Sequence, residues 1–231
     1  MPSGTVWDLS GKAGDSKDKG AEGQSMGRAA DGQRAQCHFF GDAGSTRGQD
    51  GQAGTPGLNG QAGGPGAAAQ TLMLTVSTFE GGIQFNAVGG NGGRGGDGGR
   101  GGDGGDAGDG GGGGGCESAS DGGAGGRGGD GGNGGNGGDG GAGGTVNLKY
   151  KQFNIGDLQA PVQGGAAGAP GVGEQPGRGG LGGKGGFGDC DFWGCEDNGN
   201  SGAQGAIGNR GQDGARGPKG PNGSFNLSSI V

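Results

Sequence analysis

Apolar residues along this chain are confined to a few short stretches, and in each of them apolar and polar positions alternate. The stretches are residues 5–9 (TVWDL), 71–80 with 83–88 (TLMLTVSTFE, IQFNAV), 145–155 with 158–163 (TVNLKYKQFNI, LQAPVQ) and 224–231 (SFNLSSIV). Alternation with period two over such lengths predicts half-buried β-strands. Between the stretches apolar side chains nearly vanish, and Gly-Gly-X repeats almost without error from Gly89 to Gly114 and from Gly122 to Gly144. A period of three puts each phase on one ridge of a polyproline II helix, which has three residues per turn and a rise of about 3.1 Å. That helix has no internal hydrogen bonds, so every peptide group needs a partner on a neighbouring segment or in water. The repeat therefore predicts a bundle.

Followed by phase, glycine marks six arms at about residues 11–36, 41–66, 89–115, 122–144, 164–188 and 202–223. The first is ragged, because Lys17 and Met26 interrupt the phase of Gly11, Gly14, Gly20 and Gly23, and Glu174 is the one lapse in the fifth. Short cysteine-containing loops follow the first, third and fifth arms, at residues 37–40, 116–121 and 189–201. The β stretches, at residues 5–9, 71–88, 145–163 and 224–231, occupy the alternate joints and the two ends. With arms running up and down, every cysteine loop falls at one end and every strand at the other. The expected fold is mostly irregular by helix and strand assignment: an up-and-down bundle of about six polyproline II (polyglycine II) helices, with a small β-strand base at one end and cysteine loops at the other. It forms a single glycine-rich domain, residues 1–231. Arms with glycine in two phases are expected at its centre. In the base, Leu72, Leu74 and Val76 are expected to pack against Val146, Leu148 and Tyr150.

Composition narrows the class. Of 231 residues 78 are glycine, 26% are hydrophobic and 5% aromatic, too few apolar side chains for an ordinary core at this length. Glycine loses the most conformational freedom on ordering, so dense backbone pairing has to offset that cost. The strict phase separates the chain from a disordered linker, which has no need of glycine at every third position. A collagen triple helix is disfavoured, because there are only 8 prolines and the Gly-Gly-X arms contain none. The formal charge is −7, and Arg94, Arg100 and Arg127 share their arms with aspartates such as Asp97, Asp103, Asp106 and Asp109 without interleaved aromatics, so no nucleic-acid partner is expected. No apolar run approaches the roughly 18 residues of a bilayer span, so no membrane insertion is expected. The start has no basic segment leading into an apolar one, and the chain is expected to be made without a recognisable signal peptide.

Chemistry-bearing residues gather where the repeat stops. Cys37, Cys116, Cys190 and Cys195 all fall in the loops, which suggests two disulfides with three possible pairings. Zinc held by cysteines with His38 is the alternative, but the spacing from Cys190 to Cys195 is not a usual finger spacing, and free thiols also remain open. His38, Phe39, Phe40, Phe192 and Trp193 form an aromatic tip that either binds a ligand or caps the arm ends. The aspartate series lacks the apolar position of calcium-binding nonapeptide repeats. With a single histidine and no triad or paired-acid arrangement, no enzymatic activity, metal or cofactor is expected. Strand residues Val6, Trp7, Leu72, Leu74, Val146, Leu148, Phe225 and Leu227 are the expected docking elements.

In its glycine arms the chain resembles two families of polyglycine II bundle. One is the tip adhesin of the long tail fibres of T-even-like phages. The other is the glycine-rich antifreeze protein of snow fleas, similar in strings such as GGNGGNGG at residues 131–138 and in having cysteines. The adhesin resemblance implies a non-enzymatic virion or extracellular structural protein. Its β base would dock onto other structural subunits, and its tip loops would bind a host surface protein or glycan. A self-assembling extracellular filament subunit, adding residues 5–9 or 224–231 to a neighbour's open sheet edge, is the alternative. An antifreeze protein is the third reading, against which the charged X positions count.

Overall fold

Hydrogen bonds in steps of three residues tie glycine-rich segments together over most of the chain. In the computed structural model, which describes residues 5–80, 82–115, 117–154, 157–191, 194–195 and 197–230, Gly14 N donates to Asn91 O at 2.8 Å and Gly20 N to Asp97 O at 2.8 Å. These ladders delimit six extended arms, at residues 11–35, 46–70, 89–113, 120–144, 163–187 and 199–223.

The arms lie in two layers. The first, third and fifth run parallel in one layer with the third in the middle, as in the bonds Gly23 N to Arg100 O at 2.8 Å and Gly98 N to Val172 O at 2.9 Å. The second, fourth and sixth run parallel in the other, as in Gly51 N to Ala124 O and Gly125 N to Ala203 O, both at 2.8 Å. Across the layers neighbours are antiparallel: Gly93 N donates to Gly64 O at 2.8 Å, Gly126 N to Gly105 O at 2.9 Å and Gly180 N to Gly126 O at 2.8 Å. Each such bond contributes about 1 kcal/mol net, and their number offsets the ordering cost of glycine.

Close approach explains why the middle arms carry two glycine phases. A Cβ on Gly99 would overlap the carbonyl oxygen of Ala21, and one on Gly132 would overlap that of Leu58. The edge arms have neighbours on fewer sides and tolerate side chains in the remaining phases. Where the glycine phase lapses, the ladder continues: Lys17 N reaches Arg94 O at 3.0 Å, Met26 N reaches Asp103 O at 2.9 Å and Glu174 N reaches Gly132 O at 3.0 Å.

The expected fold class needs correction. Among the described residues there is no helix; the regular elements are strands, and they form two three-stranded parallel sheets and one two-stranded antiparallel sheet. The molecule is therefore not a bundle of helices on a small base. The physical reason is where the peptide bonds point: the arms pair with other arms at long range, and the same parallel pairing continues into the sheets.

The strands are β1 (Thr5–Asp8), β2 (Leu72–Glu80), β3 (Ile83–Asn86), β4 (Thr145–Asn154), β5 (Leu158–Gln159), β6 (Cys190–Asp191), β7 (Gly194–Cys195) and β8 (Ser224–Ser229). One sheet has the order β1-β3-β5 and leads into the first layer; the other has the order β2-β4-β8 and follows from the second layer. All strands of a sheet enter or leave arms that point the same way, so they pair in parallel, with Leu72 beside Val146, Leu74 beside Leu148 and Val76 beside Tyr150. Phe79, Ile83, Phe85, Ala87, Val146 and Leu148 form the buried core, with Trp7, Leu74, Val76 and Phe225 packed against it. Full burial of each large side chain stabilises by about 1.5–3 kcal/mol, so this end anchors the layers.

Candidate functional site at the cysteine-loop end

Three loops gather at the end away from the core. In the first, Gln36 and Ala43 exchange N–H to C=O bonds at 2.8 Å, which closes a tight loop over residues 37–42. Asp42 Oδ1 accepts the N–H of His38 at 2.9 Å, and Gly41, at φ +149°, takes a conformation that other residues rarely adopt. The second loop closes through the pair Gly114 and Glu117. The third carries the β6-β7 pair, whose register sets Cys190 opposite Cys195.

Side chains lock the loops together. Ser45 Oγ donates to Ser118 O at 2.7 Å and lies 2.7 Å from Ser120 Oγ, joining the segment after the first loop to the second. Arg34 reaches the third, with Nη2 on Asp189 Oδ2 at 2.6 Å and Nε on Gly113 O at 2.9 Å. Ala119 N donates to Asp197 O at 3.2 Å, linking the second loop to the third. Cys37 is in a disulfide, and a Cβ on Gly114 would sit 3.4 Å from its Sγ, so this half-bridge lies beside the second loop. Cys116, Phe192 and Trp193, and the side chains of Cys190 and Cys195, lie outside the described residues.

Phe39 and Phe40 project from the first loop. Their rings meet edge to face with centroids 5.0 Å apart, and the residues are 95% and 97% exposed. Rings that capped the arm ends would be covered; these face solvent. His38 Nε2 is 3.4 Å from Gln36 Oε1, and among the described residues no group of three metal-ligating side chains is assembled.

At the sheet end the expected docking residues divide. Val146 and Leu148 are 0% and 1% exposed, so they belong to the core and offer no contact surface. Trp7 leans on Phe85 with ring centroids 6.1 Å apart, and Leu72, Leu74 and Phe225 pack on the same cluster. Val6 and Leu227 remain 58% and 40% exposed on β1 and β8, each an outer strand of its sheet.

The X positions also cap backbone donors of neighbouring arms, with partners that their spacing alone does not name. Their Asp and Asn side chains accept backbone N–H groups of the next arm in the same layer: Asp97 Oδ1 takes Val172 N at 2.7 Å, Asp106 Oδ1 takes Leu181 N at 2.7 Å, and Asn133 Oδ1 takes Gln212 N at 2.8 Å. Along each arm an arginine often sits three residues before the aspartate, as in Arg94 with Asp97 at 2.6 Å and Arg127 with Asp130 at 2.6 Å. The bond from Arg94, with that from Val172 N–H, holds the Asp97 carboxyl below its ordinary range. For Asp130 the N–H of Asn209 acts first and Arg127 second, and Asp50 is lowered chiefly by the N–H of Ala124. The asparagines and aspartates thus satisfy donors that would otherwise face water, a signal present in the sequence as Asp or Asn at every third position.

No family model and no curated protein sequence matches the chain. Among solved structures it is weakly similar to a springtail antifreeze protein from Granisotoma rainieri, described as a bundle of nine polyproline type II helices. The two are 23% identical over 90% of this chain and 97% of that chain, with a TM-score of 0.11, too low to carry an inference.

Proposed function

We propose that the chain is a non-enzymatic appendage of a virion or cell surface, a fibre-tip adhesin whose layered arms hold a binding tip away from a docking base. The observation that carries this reading is the Phe39 and Phe40 pair, almost wholly exposed on a loop that is itself fixed by backbone and side-chain bonds. Exposed aromatic rings on a rigid support lose little entropy on binding and supply most of the contact energy at interfaces. The expected ligand is a host surface protein or glycan. At the other end, Val6 on β1 and Leu227 on β8 fit docking to another structural subunit by strand addition. Replacing both phenylalanines, Phe39→Ser with Phe40→Ser, tests the reading: surface binding should be lost while the arms stay folded, and retained binding would refute it.

A second reading, ice binding, draws on the outer face of the second layer. There Asn133, Asn136, Gln212 and Ala215 form an uncharged patch, although Arg127, Asp130 and Asp139 lie on the same ridge of the fourth arm. Thermal hysteresis of the purified protein decides it.

A further inference from the structure

On the outer face of the first layer, the third arm presents a side chain at every third position from Asn91 through Arg94, Asp97, Arg100, Asp103 and Asp106 to Asp109, and then Gly112 interrupts the ridge. The missing side chain leaves a cleft of about 410 Å³ beside the loop end, bordered by Arg34 of the first arm and by Lys184 and Phe187 of the fifth. Asp109 and Asp189 complete its polar rim, and the rest of the wall is glycine backbone. We propose that this cleft binds a neutral sugar residue of a surface glycan.

Three features select that ligand class. The lining carries two cations, Arg34 and Lys184, and two anions, Asp109 and Asp189, so it is electrically balanced and gives no net attraction to a phosphate, a sialic acid or an amine. The lining offers both donors, on Arg34 and Lys184, and acceptors, on Asp109 and Asp189, which suits hydroxyl groups that both donate and accept. Phe187, 79% exposed, offers a ring on which the C–H face of a pyranose can lie. Arg34, Asp189 and Asp109 are also held in place. Arg34 is fixed by Gly113 O at 2.9 Å and Asp189 Oδ2 at 2.6 Å, and Asp109 Oδ1 accepts Lys184 N at 2.8 Å. The volume lies within the range of about 300–1,000 Å³ typical of small-molecule sites.

The cleft can be filled without disturbing the arms. A Cβ on Gly112 would meet Phe187 O at 3.4 Å and Arg34 Cγ at 3.7 Å, ordinary contact distances, so Gly112→Asn continues the ridge into the cleft. The proposal rests on the adhesin reading only for its biological setting. It is tested by titrating the full chain with lactose, maltotetraose and mannotetraose, with sialyllactose as the charged comparison, followed by NMR saturation transfer. At least one neutral oligosaccharide should bind at millimolar concentration, and Phe187→Ala and Gly112→Asn should each weaken it about tenfold or more with an unchanged melting temperature. Failure of every neutral sugar, binding of sialyllactose alone, or wild-type binding by both variants would overturn it. Cell binding that survives both variants would likewise overturn the cleft while leaving the adhesin reading intact; sugar binding without cell binding would do the reverse.

Discussion

Asp97 Oδ1 accepts the backbone N–H of Val172 at 2.7 Å, 75 positions further along the chain, while Arg94 Nη2 holds the same oxygen at 2.6 Å. One side chain thus joins the third arm to the fifth and orients itself along its own arm. Asp97→Ala should cost about 1 kcal/mol in chemical denaturation, whereas Asp97→Asn keeps an acceptor for Val172 and should cost less, since an exposed ion pair contributes little. Equal losses for the two variants would show that the ion pair, not the backbone cap, matters.

Glycines of the repeat are not equivalent. A Cβ on Gly132 would overlap the carbonyl oxygen of Leu58, while one on Gly27 meets no heavy atom within 4 Å. Gly132→Ala should therefore destabilise by about 3 kcal/mol or more, and Gly27→Ala should be neutral or stabilise by about 0.4–1 kcal/mol through the unfolded state. Similar denaturation midpoints for the two variants would contradict the layered packing.

Acid should loosen the layers. Asp31, Asp50, Asp97 and Asp130 all have folded-state values below the ordinary one, from arginine contacts and from N–H groups of neighbouring arms. A depressed carboxylate contributes stability that is fully present above its unfolded value, about 3.9, and is lost as pH falls through the folded value. The melting temperature should be level from neutral pH to about 5 and fall below about 4. A melting temperature unchanged down to pH 2 would remove the carboxylates from the account.

Much of this layout was legible in the sequence because it is periodic. Glycine phase pointed to the arms but put the second at about residues 41–66, where the ladder spans 46–70, and the alternation of cysteine loops with apolar stretches pointed to two distinct ends. The same reading named polyproline II helices, whereas the regular elements are strands and the arms are defined by long-range pairing. Layer order was not legible: the constant offset between Gly14 and Asn91, or between Gly51 and Ala124, depends on which arms meet in space. Val146 and Leu148 were read as docking residues because alternation marks an apolar face without saying what covers it; the core covers them. The cleft at Gly112 hid inside the repeat, where one more glycine looks like continuity.

The most direct test of the central claim, that the arms are scaffold and the loop end makes contact, is binding of the labelled full chain to a panel of intact bacterial and animal cells. Wild-type protein should bind at least one surface. Phe39→Ser with Phe40→Ser should reduce that binding about tenfold or more at an unchanged melting temperature. Undiminished binding by the double variant, or binding lost only when Asp97 or Gly132 is replaced, would contradict it.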